Sequence, residues 1–196
     1  MSRTRYVAHA GVVAAVHAAA TVAVLQMPFE LGWGPVQFRA SEAFTVLALF
    51  TPSAIPGLAL GTAVANGVMV ARFGPIGLLD VVFGSLATLL GAVWTWRFRR
   101  RRLVALAGPV ITNALIIPAY LPVMFAALGF TQEPILGIDV GNEWIALYAM
   151  WFVFVGIGQC VVVYGLGLPL ATLLGKTGLL DAFMRPDRRG RAGGIE

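Results

Sequence analysis

Long stretches without a charged side chain dominate this sequence of 196 residues. They cover residues 6–29, 43–71, 81–96, 103–132 and 144–175. The hydrocarbon core of a bilayer is about 30 Å thick, and an α-helix needs roughly 20 apolar residues to cross it. Each stretch is long enough, with modest flanks, for at least one such helix. The pattern predicts an integral membrane protein and excludes an ordinary water-soluble domain.

Composition supports this interpretation and excludes several kinds of site. Charged residues make up 12% of the chain, against roughly 25% in soluble domains. With one cysteine, Cys160, and two histidines, the sequence offers neither a disulfide framework nor a structural zinc site, and we predict no metal and no cofactor. The excess of basic residues marks the cytoplasmic face, and no basic groove with interleaved aromatic residues accompanies it. We therefore predict no nucleic-acid partner.

The stretch 43–71 decides how many helices cross the membrane, because Pro52 and Pro56 interrupt it. Two prolines this close remove two backbone donors and disfavour helix in the residues before them. One kinked helix would give five spans, and two short helices would give six. With six spans and both termini in the cytoplasm, only Arg39 and Arg72 among the basic residues fall outside, as the positive-inside rule prefers. We predict six spans.

The predicted helices cover residues 5–26, 38–51, 54–71, 77–97, 103–129 and 143–174. The second and third are short for full spans, so a broken or partly re-entrant hairpin is the alternative there. Residues 1–184 would form a single six-helix transmembrane domain. Residues 185–196, rich in Arg and Gly, would form a short basic cytoplasmic tail that is disordered.

Strongly polar side chains enter the predicted helices at few places, where they are costly and usually functional. Most lie toward the outer side in the six-span arrangement, and Asn113 and Gln159 lie deeper. The candidate substrate-binding residues are Glu42, Asp80, Asn113, Gln159, Asn66, Arg39, Gln37, Glu143, Trp144 and Trp33. Carboxylates, amides and aromatic faces together suit a planar heterocycle with several N–H donors and a carbonyl. The alternative for the three glutamate and aspartate residues is capping of helix N-termini.

The sequence contains no ATP-binding motif and no catalytic constellation. Residues 174–177, Leu-Gly-Lys-Thr, are similar to the end of a phosphate-binding loop, but Leu170 stands where that loop needs glycine. No nucleophile lies in a pattern with a base, so we predict a transport protein rather than an enzyme. If transport is active, its energy comes from an ion gradient or from another subunit.

Small residues recur every four positions in the first helix. The two rows are Ala10, Ala14 and Ala18, and Gly11, Ala15 and Ala19. Small residues at this spacing let another helix approach closely in lipid. We predict a partner-docking face, and internal packing is the alternative.

Four segments carry a resemblance to one family. They are GPVQFRASEAF at 34–44, GLALGTAVAN at 57–66, GLLDVVFGSLATLLGA at 77–92 and VGIGQCVVVYGLGLPL at 155–170. In these segments the chain resembles the QueT-type queuosine-precursor transporters. Members of that family are substrate-binding (S) components of energy-coupling factor (ECF) transporters.

The resemblance implies a six-helix S component in the bacterial cytoplasmic membrane. Such a protein captures a 7-deazaguanine-type base from outside and works with a transmembrane coupling (T) protein and two ATPases. By the motif matches, Arg39, Glu42, Asn66 and Asp80 would form or support the pocket. The alanine face of the first helix resembles the surface by which S components dock onto the T protein.

Gln159 departs from the family, in which we expect a glutamate more often. A carboxylate there could pair with the aminomethyl cation of 7-aminomethyl-7-deazaguanine, and glutamine cannot. The neutral nitrile precursor and queuine are therefore alternatives for the substrate. Further alternatives are an S component for another heterocycle or vitamin, and a gradient-driven transporter of a nucleobase-like substrate, for which Asp80 would be the buried ion site. A structural membrane subunit would explain the alanine face but not the polar residues.

Overall fold

The computed structural model describes residues 2–25, 39–129 and 143–177, which are helical throughout apart from short turns. Six helical segments follow one another in the described chain. Their bounds are α1 Arg3–Leu25, α2 Ala40–Leu49, α3 Ala54–Phe73, α4 78–97, α5 Arg102–Ala127 and α6 Trp144–Thr177. Each lies within a few residues of a predicted helix, and the predicted all-α membrane fold is confirmed.

Length and surface both fit a bilayer. Four helices in the described residues, α1, α3, α5 and α6, are long and apolar enough to cross a membrane. Their outward faces expose large apolar side chains such as Val7, Leu60, Leu103 and Ile145. Water would penalise such a surface, whereas lipid does not. The number of membrane crossings and the side on which each terminus lies stay predictions.

Three segments depart from regular α-helix. The whole of α2 is a 3₁₀-helix of ten residues, which at roughly 2 Å per residue is about 20 Å long, short of a full span. In α4, residues Asp80–Gly84 form a π-helical turn. In α6, residues Val161–Gly167 form a second one. Such π-turns occur frequently at functional sites.

The segments alternate in direction, which separates the molecule into two ends. The α1 and α3 helices run parallel, because Gly57 lies against Ala10 and Gly61 against Ala14. At one end, the Tyr6 hydroxyl donates to the Pro52 carbonyl at 3.3 Å. We call this the basic end, because it holds most of the described cationic residues. They are Arg3, Arg5, Arg97, Arg99, Arg100, Arg101, Arg102 and Lys176.

The opposite end is called the polar end, because the described carboxylates lie toward it. They are Glu42, Asp80 and Glu143. Arg39 and Arg72 are the two cationic residues described there. The positive-inside rule predicts this separation of cationic residues from carboxylates when the basic end faces the cytoplasm.

The buried interior contains both apolar clusters and polar side chains along the bundle axis. Toward the basic end, two clusters close the core, one including Val13, Leu58 and Ala92, the other Leu106 and Val163. Toward the polar end, each of the six segments continues its buried face with polar side chains. These include His17, Glu42, Asn66, Asp80, Asn113 and Gln159. A third apolar cluster, which includes Leu121, Met124 and Leu147, lies toward the polar end as well. The candidate site is therefore a set of buried polar side chains with apolar clusters on both sides along the bundle axis.

Candidate substrate-binding site

A buried ion pair joins the start of α2 to α4. The Arg39 guanidinium Nη2 lies 3.3 Å from both carboxylate oxygens of Asp80. The Tyr120 hydroxyl of α5 donates to the same carboxylate at 2.5 Å. Arg39 is 9% exposed and Asp80 2%. Because a buried charge is costly unless it is paired and hydrogen-bonded, this network fixes three segments relative to one another.

The π-turn of α4 and a glycine position Asp80 beside α3. The Asn66 amide Nδ2 donates to the Asp80 carbonyl at 2.8 Å. A Cβ atom on Gly84 would lie only 2.7 Å from that Nδ2 and 3.3 Å from Asp80 Oδ1. Glycine at 84 therefore lets Asn66 and Asp80 meet. The bond also fixes the orientation of the Asn66 amide, so that its Oδ1 points away from Asp80 and stays available.

Several buried polar atoms of α2, α3 and α6 have no hydrogen-bond partner among the described residues. They are Ser41 Oγ, Glu42 Oε2, Asn66 Oδ1, Trp151 Nε1 and Gln159 Oε1. Leaving such an atom unsatisfied costs about 1–3 kcal/mol, so native proteins rarely retain several together. Three of the five are acceptors only, and the indole is a donor only. The set is suited to a ligand with several N–H donors and at least one carbonyl.

Asn113 and Gln159 lie on the facing buried stripes of α5 and α6. Asn113 is four residues before Ile117, and Gln159 is four residues after Val155. Both of those apolar neighbours belong to one buried cluster with Tyr120 and Trp151. The Asn113 amide donates to the Pro109 carbonyl at 2.9 Å. Proline has no backbone N–H group, but its carbonyl can still accept this hydrogen bond. Both amides are buried, and their depth in the membrane stays a prediction.

Two predicted site residues, Glu143 and Trp144, are not among the buried polar side chains. Glu143 and Trp144 are exposed at the start of α6, and the Trp144 ring lies 5.4 Å from that of Tyr148. Gln37 and Trp33 lie outside the described residues. Side-chain capping is not observed for α2 or α6, whose first residues have no side-chain cap hydrogen bond. The Asp80 carboxylate faces Arg39 and Tyr120 instead of a helix terminus.

Sequence reasoning missed three contributors, Tyr120, Trp151 and Ser41. Tyr120 is seven residues after Asn113 and Trp151 eight before Gln159, spacings that return to nearly the same helical face. A search for polar-tipped aromatics along the stripes of the two amides could have found them. Ser41 adjoins Glu42 and carried no distinct signal.

The two small-residue rows of α1 have different surroundings. Ala10 and Ala14 pack against α3, since a Cβ on Gly57 would lie 2.7 Å from the Ala10 carbonyl oxygen, and one on Gly61 2.7 Å from that of Ala14. Ala14 is buried and Ala18 half-buried. The second row, Gly11, Ala15 and Ala19, is exposed. The first row thus shows the internal packing that was the alternative, and the second leaves a surface open to a partner.

A chain of hydrogen bonds links α1 to the helices of the site. His17 Nε2 and Thr62 Oγ1 are bonded at 3.1 Å, and Thr62 Oγ1 lies 3.2 Å from Thr88 Oγ1. Thr88 in turn donates to the Gly84 carbonyl at 3.1 Å. The buried histidine is therefore bonded at Nε2 to a neighbouring helix, whereas its Nδ1 has no hydrogen-bond partner among the described residues. Its contacts tie α1 to α3 and, through Gly84, to the turn that holds Asp80.

Comparison with known proteins identifies the family. A family model described as QueT transporter matches residues 7–176. No curated protein and no solved structure matches the chain significantly. The matched range includes parts of all six helical segments and every described residue of the buried polar cluster. The chain belongs to the QueT transporter family.

Proposed function

We propose that the protein is the S component of an ECF-type importer and that its buried polar cluster binds a queuosine precursor, either a 7-deazaguanine base or queuine. Family membership makes it a membrane transporter with a small-molecule substrate. The single observation that carries the finer proposal is the set of unpartnered buried acceptors, Glu42 Oε2, Asn66 Oδ1 and Gln159 Oε1. A ligand with several N–H donors would complete the hydrogen bonding of these oxygens.

A 7-deazaguanine base has the matching chemistry. Its pyrimidine edge presents a ring N–H and an amino group side by side, its pyrrole ring adds another N–H, and one carbonyl accepts. The Glu42 carboxylate suits the paired donors, and the amide oxygens suit single ones. The Trp151 indole N–H is the available donor for the carbonyl. Neutral Gln159 does not favour a cationic substituent, which supports the nitrile precursor, whereas the aminomethyl base and queuine both carry a basic amine.

The polar end faces outward in the proposed arrangement, and the substrate enters the site from that side. The cationic residues of the basic end favour the cytoplasmic side of a bacterial membrane. Both termini are then cytoplasmic, residues 1–184 form the transmembrane domain, and 185–196 form its tail.

Release to the cytoplasm then needs a partner. In the proposed assembly the T protein docks on the exposed Gly11, Ala15 and Ala19 row, where small side chains permit close helix contact. Two ATPase subunits supply energy. The proposed docking surface leaves out Ala10 and Ala14 of the predicted face, because these two residues pack against α3.

Calorimetric titration of the purified protein in detergent tests the substrate. Queuine and the two 7-deazaguanine precursors are the ligands, and guanine and riboflavin are the controls. Tight binding of one precursor over both controls supports the proposal. Absence of binding from protein that melts cooperatively contradicts it.

An S component for another heterocycle is the second candidate, and Gln159 is the observation that favours it. The same titration extended to other N–H-rich heterocycles and vitamins separates the two. The ion site predicted from the sequence for a gradient-driven transporter, Asp80, is already neutralised by Arg39 and bonded to Tyr120, which disfavours that alternative.

A further inference from the structure

The turn between α4 and α5 is an arginine-rich loop held in shape by aromatic side chains. The Arg99 guanidinium lies 3.9 Å from the centroid of the Trp96 ring and donates to the Trp96 carbonyl at 2.9 Å. Arg97 lies 5.7 Å from the Phe98 ring. The Trp94 indole donates to the Val104 carbonyl at 2.9 Å, across the loop. Much of the ordering that a ligand would impose on this loop is therefore already present.

A groove of about 350 Å³ lies on this loop, lined by the five consecutive residues Arg97–Arg101. Its volume is at the lower limit of small-molecule sites, roughly 300–1,000 Å³. The side chains of Arg100 and Arg101 form no hydrogen bond or ion pair with the described residues. The described carboxylates all lie toward the opposite end of the bundle. No carboxylate of the described residues compensates the positive charge of the groove, which favours an anion.

The surroundings of the groove indicate which anion. Exposed apolar side chains continue from it along both helices, Leu90 and Val93 on α4 and Leu103 and Val104 on α5. Tryptophans such as Trp94 and Trp96 are typical of the membrane–water interface. A ligand that places a phosphate at the arginines would therefore have its apolar part alongside a lipid-facing surface.

We propose that the Arg97–Arg101 groove is a headgroup site for an anionic phospholipid of the bilayer. The planar guanidinium groups suit a phosphodiester, to which arginine can donate two parallel hydrogen bonds. The acyl chains lie along the exposed apolar side chains of α4 and α5. This site is separate from the polar cluster, and it does not depend on what that cluster binds.

Native mass spectrometry of the detergent-solubilised protein tests the site. The probes are phosphatidylglycerol and phosphatidylcholine with identical acyl chains, at equal concentration. The variant Arg100→Gln/Arg101→Gln removes two charges without removing a described side-chain bond. The control Arg3→Gln/Arg5→Gln removes two charges from the same end but outside the groove, and circular dichroism melting of both variants checks the fold.

The wild-type protein is expected to retain phosphatidylglycerol in preference to phosphatidylcholine. Arg100→Gln/Arg101→Gln should lower that preference about 25-fold, since each arginine beside anionic lipid contributes roughly a fivefold factor. Arg3→Gln/Arg5→Gln should keep most of it. Equal losses in both variants would mean diffuse attraction and overturn the site, as would no loss in either. Displacement of the lipid by an equal concentration of inorganic phosphate would assign the groove to free phosphate instead.

Discussion

Arg39 and Asp80 are 41 residues apart in the sequence and meet at 3.3 Å inside the bundle. Their pairing closes α2 onto α4, and the Tyr120 hydroxyl extends it to α5. The residues of the ion pair thus hold the polar interior together, while Glu42 and the amides of Asn66 and Gln159 present unpartnered oxygens. Asn66 has both roles, because its Nδ2 supports Asp80 and its Oδ1 is unpartnered. Asp80 and Glu42 differ in role, and mutation can distinguish them.

Replacing Asp80 by alanine should destabilise the protein as well as impair binding. It would leave the Arg39 guanidinium buried without its carboxylate, and breaking a buried pair costs about 3–5 kcal/mol. Thermal unfolding in detergent measures the loss, with Arg100→Ala, which removes a charge without a described side-chain bond, as the control. An unchanged melting temperature in Asp80→Ala would show that the ion pair does not stabilise the fold.

Glu42→Gln should act on binding alone. Glu42 Oε2 has no partner among the described residues, so the folded protein loses no described bond when the charge is removed. Affinity for the precursor base should fall about 10- to 100-fold, because hydrogen bonds to charged groups contribute roughly 1.5–3 kcal/mol. Titration calorimetry gives the affinity and a melting curve the stability. Equal affinity of the two proteins would remove Glu42 from the site.

Trp151→Phe isolates one predicted hydrogen bond, because it keeps an aromatic ring and removes the buried indole N–H. Affinity for 7-deazaguanine should fall about tenfold, as expected when a carbonyl loses its donor. Affinity for 2-amino-7-deazapurine, which lacks the carbonyl, should not change. A similar loss for both bases would indicate that the ring packs against the ligand and that the N–H does not bind it.

Gly84→Ala should disturb the junction of α3 and α4. The added methyl would meet Asn66 Nδ2 at 2.7 Å, and overpacking of this kind costs about 1–3 kcal/mol. Gly67→Ala is a matched control within α3, since its Cβ would meet nothing within 4 Å, and alanine is the better helix former by roughly 1 kcal/mol. We expect opposite shifts in melting temperature. Shifts of the same sign would mean that the close approach at Gly84 relaxes easily.

The helix bounds could be predicted because charges mark them. Arg97 and Arg102 bracket the turn between α4 and α5, and Glu143 directly precedes α6. The helix type could not be predicted in the same way. The 3₁₀ geometry of α2 and the two π-turns depend on contacts between segments, such as the 2.9 Å approach that a Cβ on Gly167 would make to Val46. Such contacts cannot be predicted from the local sequence.

The site was predictable where its residues are polar and unpredictable where they are aromatic. Glu42, Asp80 and Asn66 stand out in an apolar chain because burying them is costly. Tyr120 and Trp151 do not, since an aromatic in an apolar helix is typical of ordinary core. The pairing of Arg39 with Asp80 could not be predicted from the sequence either, because it depends on how α2 packs against α4.

The exposed face of α1 gives a prediction that separates transport from binding. Ala15→Trp places a bulky ring on the surface proposed for the T protein, so uptake of the precursor by cells that contain the whole transporter should be abolished. Affinity of the purified protein for the same base should stay unchanged, because the exposed side chain lies away from the buried polar cluster. Ala14→Trp is the matched contrast: its ring would clash with α3 at Gly61 and lower the melting temperature. If Ala15→Trp transports normally, partner docking uses another surface, and the small residues of this row only face lipid.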